Sequence, residues 1–173
     1  MGCIFRVGKG ISMFDIIAFD ADDTLWDNEI YYKQAEEKLA QLLSEYHPAE
    51  FVIQELFKTE THNIAAYGYG IKSFTLSMIE TAIALTEGKV TAEEIHEIIG
   101  FGKEMIAVDV KLIENVRETI QELSSMYILM IITKGDLLDQ QRKVARSGLG
   151  DFFKRIEIVS EKTNATYKAI LEK

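Results

Sequence analysis

The sequence predicts an α/β fold: a Rossmann-like parallel sheet with an α-helical subdomain inserted into it. Three observations point there. Residues 14–19 (FDIIAF), 126–132 (MYILMII) and 156–160 (IEIVS) are short apolar runs of the kind that form buried strands. Each run is followed at once by polar residues, and open parallel sheets bind their ligands at the carboxyl ends of the strands. Between the first two runs lie roughly eighty residues of helical periodicity, whereas a direct crossover needs only about a dozen.

The elements follow in chain order. Residues 1–12 (MGCIFRVGKGIS) read as an N-terminal arm outside the fold, with the natural start close to Met13. Met1-Gly2-Cys3 suggests lipidation, but the myristoylation pattern wants Ser or Thr where Arg6 stands. Gly8-Lys9-Gly10 lacks the spacing of a phosphate loop and the Ser or Thr after its lysine. The segment is too short and basic for a secretory signal.

The first strand delivers Asp20, Asp22, Asp23 and Thr24 in quick succession. Carboxylates this close repel one another, so local stability does not explain them, whereas a cation would. The bland reading is an acidic turn whose Asp23 or Thr24 caps the next helix, but a cap needs one acid and not three. In an extended segment residues i and i+2 point the same way, so Asp20 and Asp22 can flank one atom. Trp26, Asn28 and Glu29, just beyond, are candidate hinge or pocket residues.

Helical spacing then takes over. Tyr31, Ala35, Leu39, Leu42, Leu43 and Tyr46 share one face, ended by His47-Pro48. Phe51, Val52, Leu56 and Phe57 form a second run, broken at Gly68-Tyr69-Gly70. Phe74, Met78, Ala82 and Leu85 make a third helix, stopped near Gly88. Thr91 and Glu94 form a capping box for a fourth, with Ile95, Ile98, Ile99, Met105 and Ile106 on one face and a bend expected at Gly100 and Gly102. A fifth helix is expected over 110–125, with Leu112, Val116, Ile120 and Leu123 inward. His47, His62 and His96 have no metal-site spacing and read as exposed. Tyr67 and Tyr69 read as aromatic anchors before pocket residues.

The second strand ends in Thr133-Lys134-Gly135-Asp136 and enters a helix carrying Leu137, Leu138, Val144 and Ala145, closed by Gly148. A hydroxyl, a glycine and a helix N-terminus make an anion cradle. A simple turn with Asp136 as N-cap is compatible with it. The third strand is followed by Glu161-Lys162-Thr163 and a helix with Tyr167, Ile170 and Leu171.

Composition sets outer limits. The chain has 173 residues, 47% of them hydrophobic, which suits one domain or a core with an insertion. A formal net charge of −9 argues against a nucleic-acid surface. Cys3, the sole cysteine, rules out an intramolecular disulfide and fits a reducing compartment, hence a cytoplasmic location. No apolar run reaches the ~20 residues of a membrane helix.

A hydrophobic strand ending in Asp20-Ala21-Asp22-Asp23-Thr24 resembles motif I, DxDxT, of the haloacid dehalogenase superfamily. The strand ending in Thr133 resembles its motif II, and Lys162 its motif III, with Lys168 as runner-up. The resemblance runs over 14–171 in the family's order, with a helical cap between motifs I and II. It implies that Asp20 attacks a phosphoryl group and forms an aspartyl-phosphate. Asp22 then protonates the leaving oxygen and activates water. It further implies that Thr24, Thr133, Lys134 and Gly135 bind the phosphoryl group, and that Lys162 steadies it and the nucleophile. Magnesium would be held by the Asp20 carboxylate and the Asp22 backbone carbonyl. The implied domains are an α/β core of 13–27 and 109–173 and a cap of 28–108, which closes over the site and selects a small phosphorylated metabolite. An ordinary helical bundle would show the same periodicity. Dehalogenation is the weaker reading, because Asp22 supplies the acid that a phosphate ester's leaving group needs.

The family also expects a further strand, carrying acidic residues that complete the magnesium site, beside the first one. No such strand is read in the sequence, so the core is expected to be incomplete and the first strand to lie at an edge, which would be an aggregation hazard unless covered. The chain is therefore expected to be a truncated form of a larger enzyme with impaired activity, or to be completed by a partner, a homo-oligomer over that edge included. A non-catalytic remnant or binding module of the same fold is the competing class.

Overall fold

The computed structural model describes residues 3–5 and 15–172. Four strands form one sheet in the order β1-β2-β3-β4: β1 Cys3–Phe5, β2 Ile16–Phe19, β3 Ile128–Lys134 and β4 Phe153–Val159. The strands β2, β3 and β4 are parallel, with Ile16 opposite Ile128 and Ile131 opposite Ile156. The helices are α1 Glu29–Leu42, α2 Ala49–Tyr67, α3 Ile71–Leu85, α4 Ala92–Ala107, α5 Val116–Ser124, α6 Leu137–Ser147 and α7 Asn164–Leu171. No described helix is long and apolar enough to cross a membrane.

Residues 1–12 do not lie wholly outside the fold. Cys3–Phe5 pairs antiparallel with β2, setting Cys3 opposite Ala18 and Phe5 opposite Ile16. The physical reason is that a bare strand edge carries unpaired N–H and C=O groups, and a short strand satisfies them. The β2 edge that the sequence reading leaves for a partner is thus occupied by the chain itself.

The chain divides into two compact units, one of residues up to Asn28 and from Asp109 onward, the other Glu29–Val108. In the first, β3 alternates its side chains between two cores, as a pleated strand must. Leu129 and Ile131 join Ala21, Leu25, Trp26, Val116, Ile120, Val144, Leu149 and Phe153. Met130 and Ile132 join Ala18 and Ile170 on the other side. The predicted helix over 110–125 begins only at Val116. The residues before it spend their backbone groups on the segment after β2: Asp27 N–H donates to Lys111 O (3.0 Å) and Ile113 N–H to Leu25 O (3.1 Å). Asn115, at φ 62°, makes the turn into the helix.

The second unit packs α1–α4 around Leu39, Leu43, Val52, Leu56, Phe74, Met78, Ala82 and Ile98. Phe51 and Phe57, read as part of its apolar run, are exposed at 40% and 68%. The Thr91–Glu94 capping box forms with both reciprocal bonds. The helix it starts, α4, runs through Gly100 and Gly102 without a break. Gly102 has a packing reason instead: a Cβ there would lie 2.1 Å from Thr75 Oγ1 on α3.

Gly102→Ala sets two effects against each other. Helix propensity favours Ala by about 1 kcal/mol. Overpacking costs about 1–3 kcal/mol, and at 2.1 Å from Thr75 Oγ1 the clash should dominate. Chemical denaturation should therefore show a net loss of up to about 2 kcal/mol. A second change, Thr75→Ala, should recover most of it by removing the atom that is struck.

Candidate active site

The polar residues that end β2, β3 and β4 converge. Just beyond β2, Asp20 Oδ1 accepts the Ala21 N–H at 2.8 Å and pairs with Lys162 Nζ at 2.5 Å. Lys162 lies between β4 and α7, so two strand ends supply the two halves of this ion pair. Lys168, the alternative, is instead an exposed partner of Glu172, the residue that caps the end of its own helix.

Asp22 is held by three side chains. Its Oδ1 accepts the Trp26 indole N–H at 2.8 Å and its Oδ2 accepts Gln140 Nε2–H at 2.7 Å. Lys143 Nζ lies 3.0 and 3.1 Å from the two oxygens. Asp23 has a different task. It adopts φ 54°, donates its N–H to Trp26 O, and accepts the Asn28 N–H at 2.9 Å. The turn from Asp20 to Asn28 therefore separates the three acids and gives each its own partners. Thr24 sits inside that turn, its N–H on Ala21 O at 3.1 Å.

On the β3 side, Thr133 is buried and its hydroxyl points to Gln140 Oε1 at 3.4 Å. Gln140 thus joins the end of β3 to Asp22 through the two atoms of one amide. Lys134 is the last residue of β3. Asp136 caps α6, accepting the Asp139 N–H at 3.1 Å. The Gly135 N–H goes to Val159 O at 3.3 Å, so this amide of the expected anion cradle is used within the sheet. Gly135 contributes its conformation: φ is 149°, and a Cβ would stand 2.9 Å from Gln140 Nε2.

The sequence reading did not single out Gln140 and Lys143. A Gln and a Lys on the polar stripe of an amphipathic helix look like ordinary solvated residues. The available signal is position: α6 starts at the proposed cradle, so its first turns are the ones that can reach the site.

Asp20 and the Asp22 backbone offer carboxylate and carbonyl oxygens, the hard donors that suit magnesium. Among the described residues there is no group of three or more His, Cys, Asp or Glu placed to hold a metal ion.

Comparison with known proteins gives a consistent result. The family model described as haloacid dehalogenase-like hydrolase matches residues 14–172. A haloacid dehalogenase-like family hydrolase from Xanthomonas campestris is 40% identical, with a TM-score of 0.89 over 98% of this chain and 72% of that one. The putative hydrolase YfnB from Bacillus subtilis, solved bound to magnesium, shares the fold at 18% identity and a TM-score of 0.60, over 92% of this chain and 73% of that one. The 5-amino-6-(5-phospho-D-ribitylamino)uracil phosphatase YigB of Escherichia coli (strain K12) is 23% identical over 86% of this chain. The chain spans 63% of that relative's length.

Gly135→Ala should strain the backbone and push Gln140 off Asp22, at a cost of about 1–3 kcal/mol. Denaturation measures the cost. A crystal structure of the variant should show Gln140 Nε2 withdrawn from Asp22 Oδ2, while an unmoved Gln140 contradicts this account.

Proposed function

We propose that this chain, which belongs to the haloacid dehalogenase-like hydrolases, hydrolyses the phosphate ester of a small metabolite through an aspartyl-phosphate on Asp20. The observation that carries the reading is the pairing of Asp20 with Lys162 at the strand ends, with Asp22 two residues on and Thr133 at the end of the neighbouring strand.

In this reading an Asp20 carboxylate oxygen attacks phosphorus, and the bond from phosphorus to the ester oxygen breaks. Asp22, entering the cycle as the carboxylic acid, gives that oxygen its proton. A water then attacks the aspartyl-phosphate, Asp22 takes the water's proton, and inorganic phosphate departs with the Asp20 carboxylate restored. Lys162 offsets the charge that gathers on the phosphoryl oxygens. The Thr133 hydroxyl, with Thr24 and Lys134, positions the phosphoryl group, while Gly135, its N–H held by Val159, shapes the turn beside them. A halide would leave without a proton, so Asp22 favours an ester substrate over a haloacid. Magnesium, held by the Asp20 carboxylate and the Asp22 carbonyl, would neutralise phosphoryl charge when bound.

The helical unit Glu29–Val108 serves as the cap in this reading and selects the substrate. YigB, by its name, acts on a phosphate carried by a ribityl chain; a small phosphorylated metabolite of that general kind is the proposed substrate class, and the cytoplasm the proposed location. A second reading, a binding module without catalysis, is favoured by one observation: among the described residues no three acids are placed together to hold a metal ion.

Asp20→Asn removes the nucleophile while keeping the shape of the side chain. Turnover of p-nitrophenyl phosphate should fall to the uncatalysed rate with an unchanged circular dichroism spectrum; undiminished turnover would exclude Asp20 as the nucleophile.

Magnesium takes six oxygen ligands in a nearly octahedral shell. With one carboxylate and one carbonyl to offer, the site should bind it weakly, and calorimetric titration should lose its heat in Asp20→Asn. Tight binding would mean that another acid, such as Asp23 or Asp136, or a second subunit completes the shell.

A further inference from the structure

Lys143 stands apart from Lys162 in what it can do. It lies on α6 with its side chain 14% exposed. An ammonium group has three N–H donors, and Lys143 Nζ meets three acceptor groups: Asp22 at 3.0 and 3.1 Å, Asn28 Oδ1 at 2.8 Å, and Asp139 Oδ2 at 3.4 Å. With its donors satisfied inside the protein, Lys143 has little left to offer a substrate. What it does offer is a fixed point.

The rest of the clamp has the same character. Gln140 is 2% exposed and holds Asp22 Oδ2. Trp26 is equally buried and holds Oδ1 through its indole N–H. Lys143 spans both oxygens. The carboxylate is thus gripped from the turn after β2 and from two successive positions on one face of α6, while Asp139, one turn before Lys143, and Asn28 brace the ammonium. A carboxyl group that must pass a proton to one particular oxygen cannot rotate freely, and positioning of this kind governs the rate of the step.

We propose that Lys143, together with Gln140, is the positioning residue that fixes the Asp22 carboxylate for proton transfer to the leaving oxygen. Lys162 and Lys143 then divide the work: one serves the nucleophile, the other the acid. The inference rests on the role given to Asp22 above, and its test is chosen to stand apart from that role.

The chain contains a single tryptophan, and that residue is itself bound to Asp22. In a ¹⁵N-labelled sample of the full chain, the lone indole N–H signal reports where the carboxylate is. Lys143→Met should move that signal in the direction that Asp22→Asn moves it, and speed its hydrogen exchange about ten-fold or more, whereas Lys143→Arg should keep both near wild type. Lys143→Gln, which keeps a donor and drops the charge, replaces the Met variant if that one does not fold. An indole signal and exchange rate left at wild-type values by loss of the lysine would overturn the proposal.

Turnover gives the second readout. In Lys143→Met, kcat for phenyl phosphate, whose leaving oxygen needs the proton, should fall about 100-fold, the scale of general-acid assistance. Turnover of p-nitrophenyl phosphate, whose leaving group departs more easily, should fall far less, with KM unchanged in both. Equal losses on the two esters would overturn the assignment. Turnover that survives Asp20→Asn instead breaks the phosphatase reading and leaves the indole experiment intact.

Discussion

Three carboxylates crowd the turn after β2, and the surrounding structure is arranged to make that tolerable. Two unit charges about 5 Å apart repel by roughly 3 kcal/mol at an effective dielectric of about 20. Each hydrogen bond to a charged group returns about 1.5–3 kcal/mol. The turn therefore stands only if each acid has separate partners. Lys162 reaches Asp20 from the end of β4, Gln140 and Lys143 reach Asp22 from α6, and the backbone of Asn28 serves Asp23. The order of the parallel strands follows the same need, since β2, β3 and β4 bring these partners to one edge.

Much of this was legible in the sequence, for reasons that differ by element. The strand β3 was readable because residues with apolar neighbours on both faces leave an unbroken run, and Thr133 because it stands directly after that run. The strands β2 and β4 are only partly buried, and Lys162 was readable as the lysine that closely follows the third apolar run. The contact of Lys162 with Asp20 follows from parallel strands sharing an edge. Gln140 and Lys143 were not readable, because their partner lies 118 and 121 positions away and helical periodicity marks a polar face without saying what it meets. The start of α5 was misplaced because Leu112 and Val116 are both inward-facing, and spacing alone cannot show that residues 111–113 bond to the segment after β2. The strand β1 is three residues long, below the length at which a pattern can be read.

The helical unit holds a polar knot of its own. Asn63 Nδ2 donates to Ser77 Oγ at 3.1 Å and to Glu80 Oε2 at 2.9 Å, and Tyr67 O–H reaches the other oxygen of Glu80 at 3.1 Å. Its buried pair, Asn63 and Ser77, adds little to stability but fixes register, because a slip would leave a buried polar group unpaired, while the Tyr67–Glu80 bond lies at the surface. The network joins α2 to α3, while Gly102 brings α4 close to α3. Between them the packing of α3 against both neighbours is set by specific contacts as well as by apolar area.

The paired segments on either side of the helical unit have a consequence in polymer terms. The parallel pair β2 and β3 joins residues more than a hundred positions apart, and closing a loop of that length carries an entropy cost that grows with its logarithm. Yet the chain leaves and returns through a stem, in which Asp27 bonds to Lys111, Leu25 to Ile113, and Lys111 Nζ pairs with Asp27 at 3.2 Å. Once the stem is zipped, the sheet no longer registers how much chain hangs beyond it. The length and content of the insertion become a free variable for evolution, and a cap of another size could be carried on the same stem without re-registering a single strand.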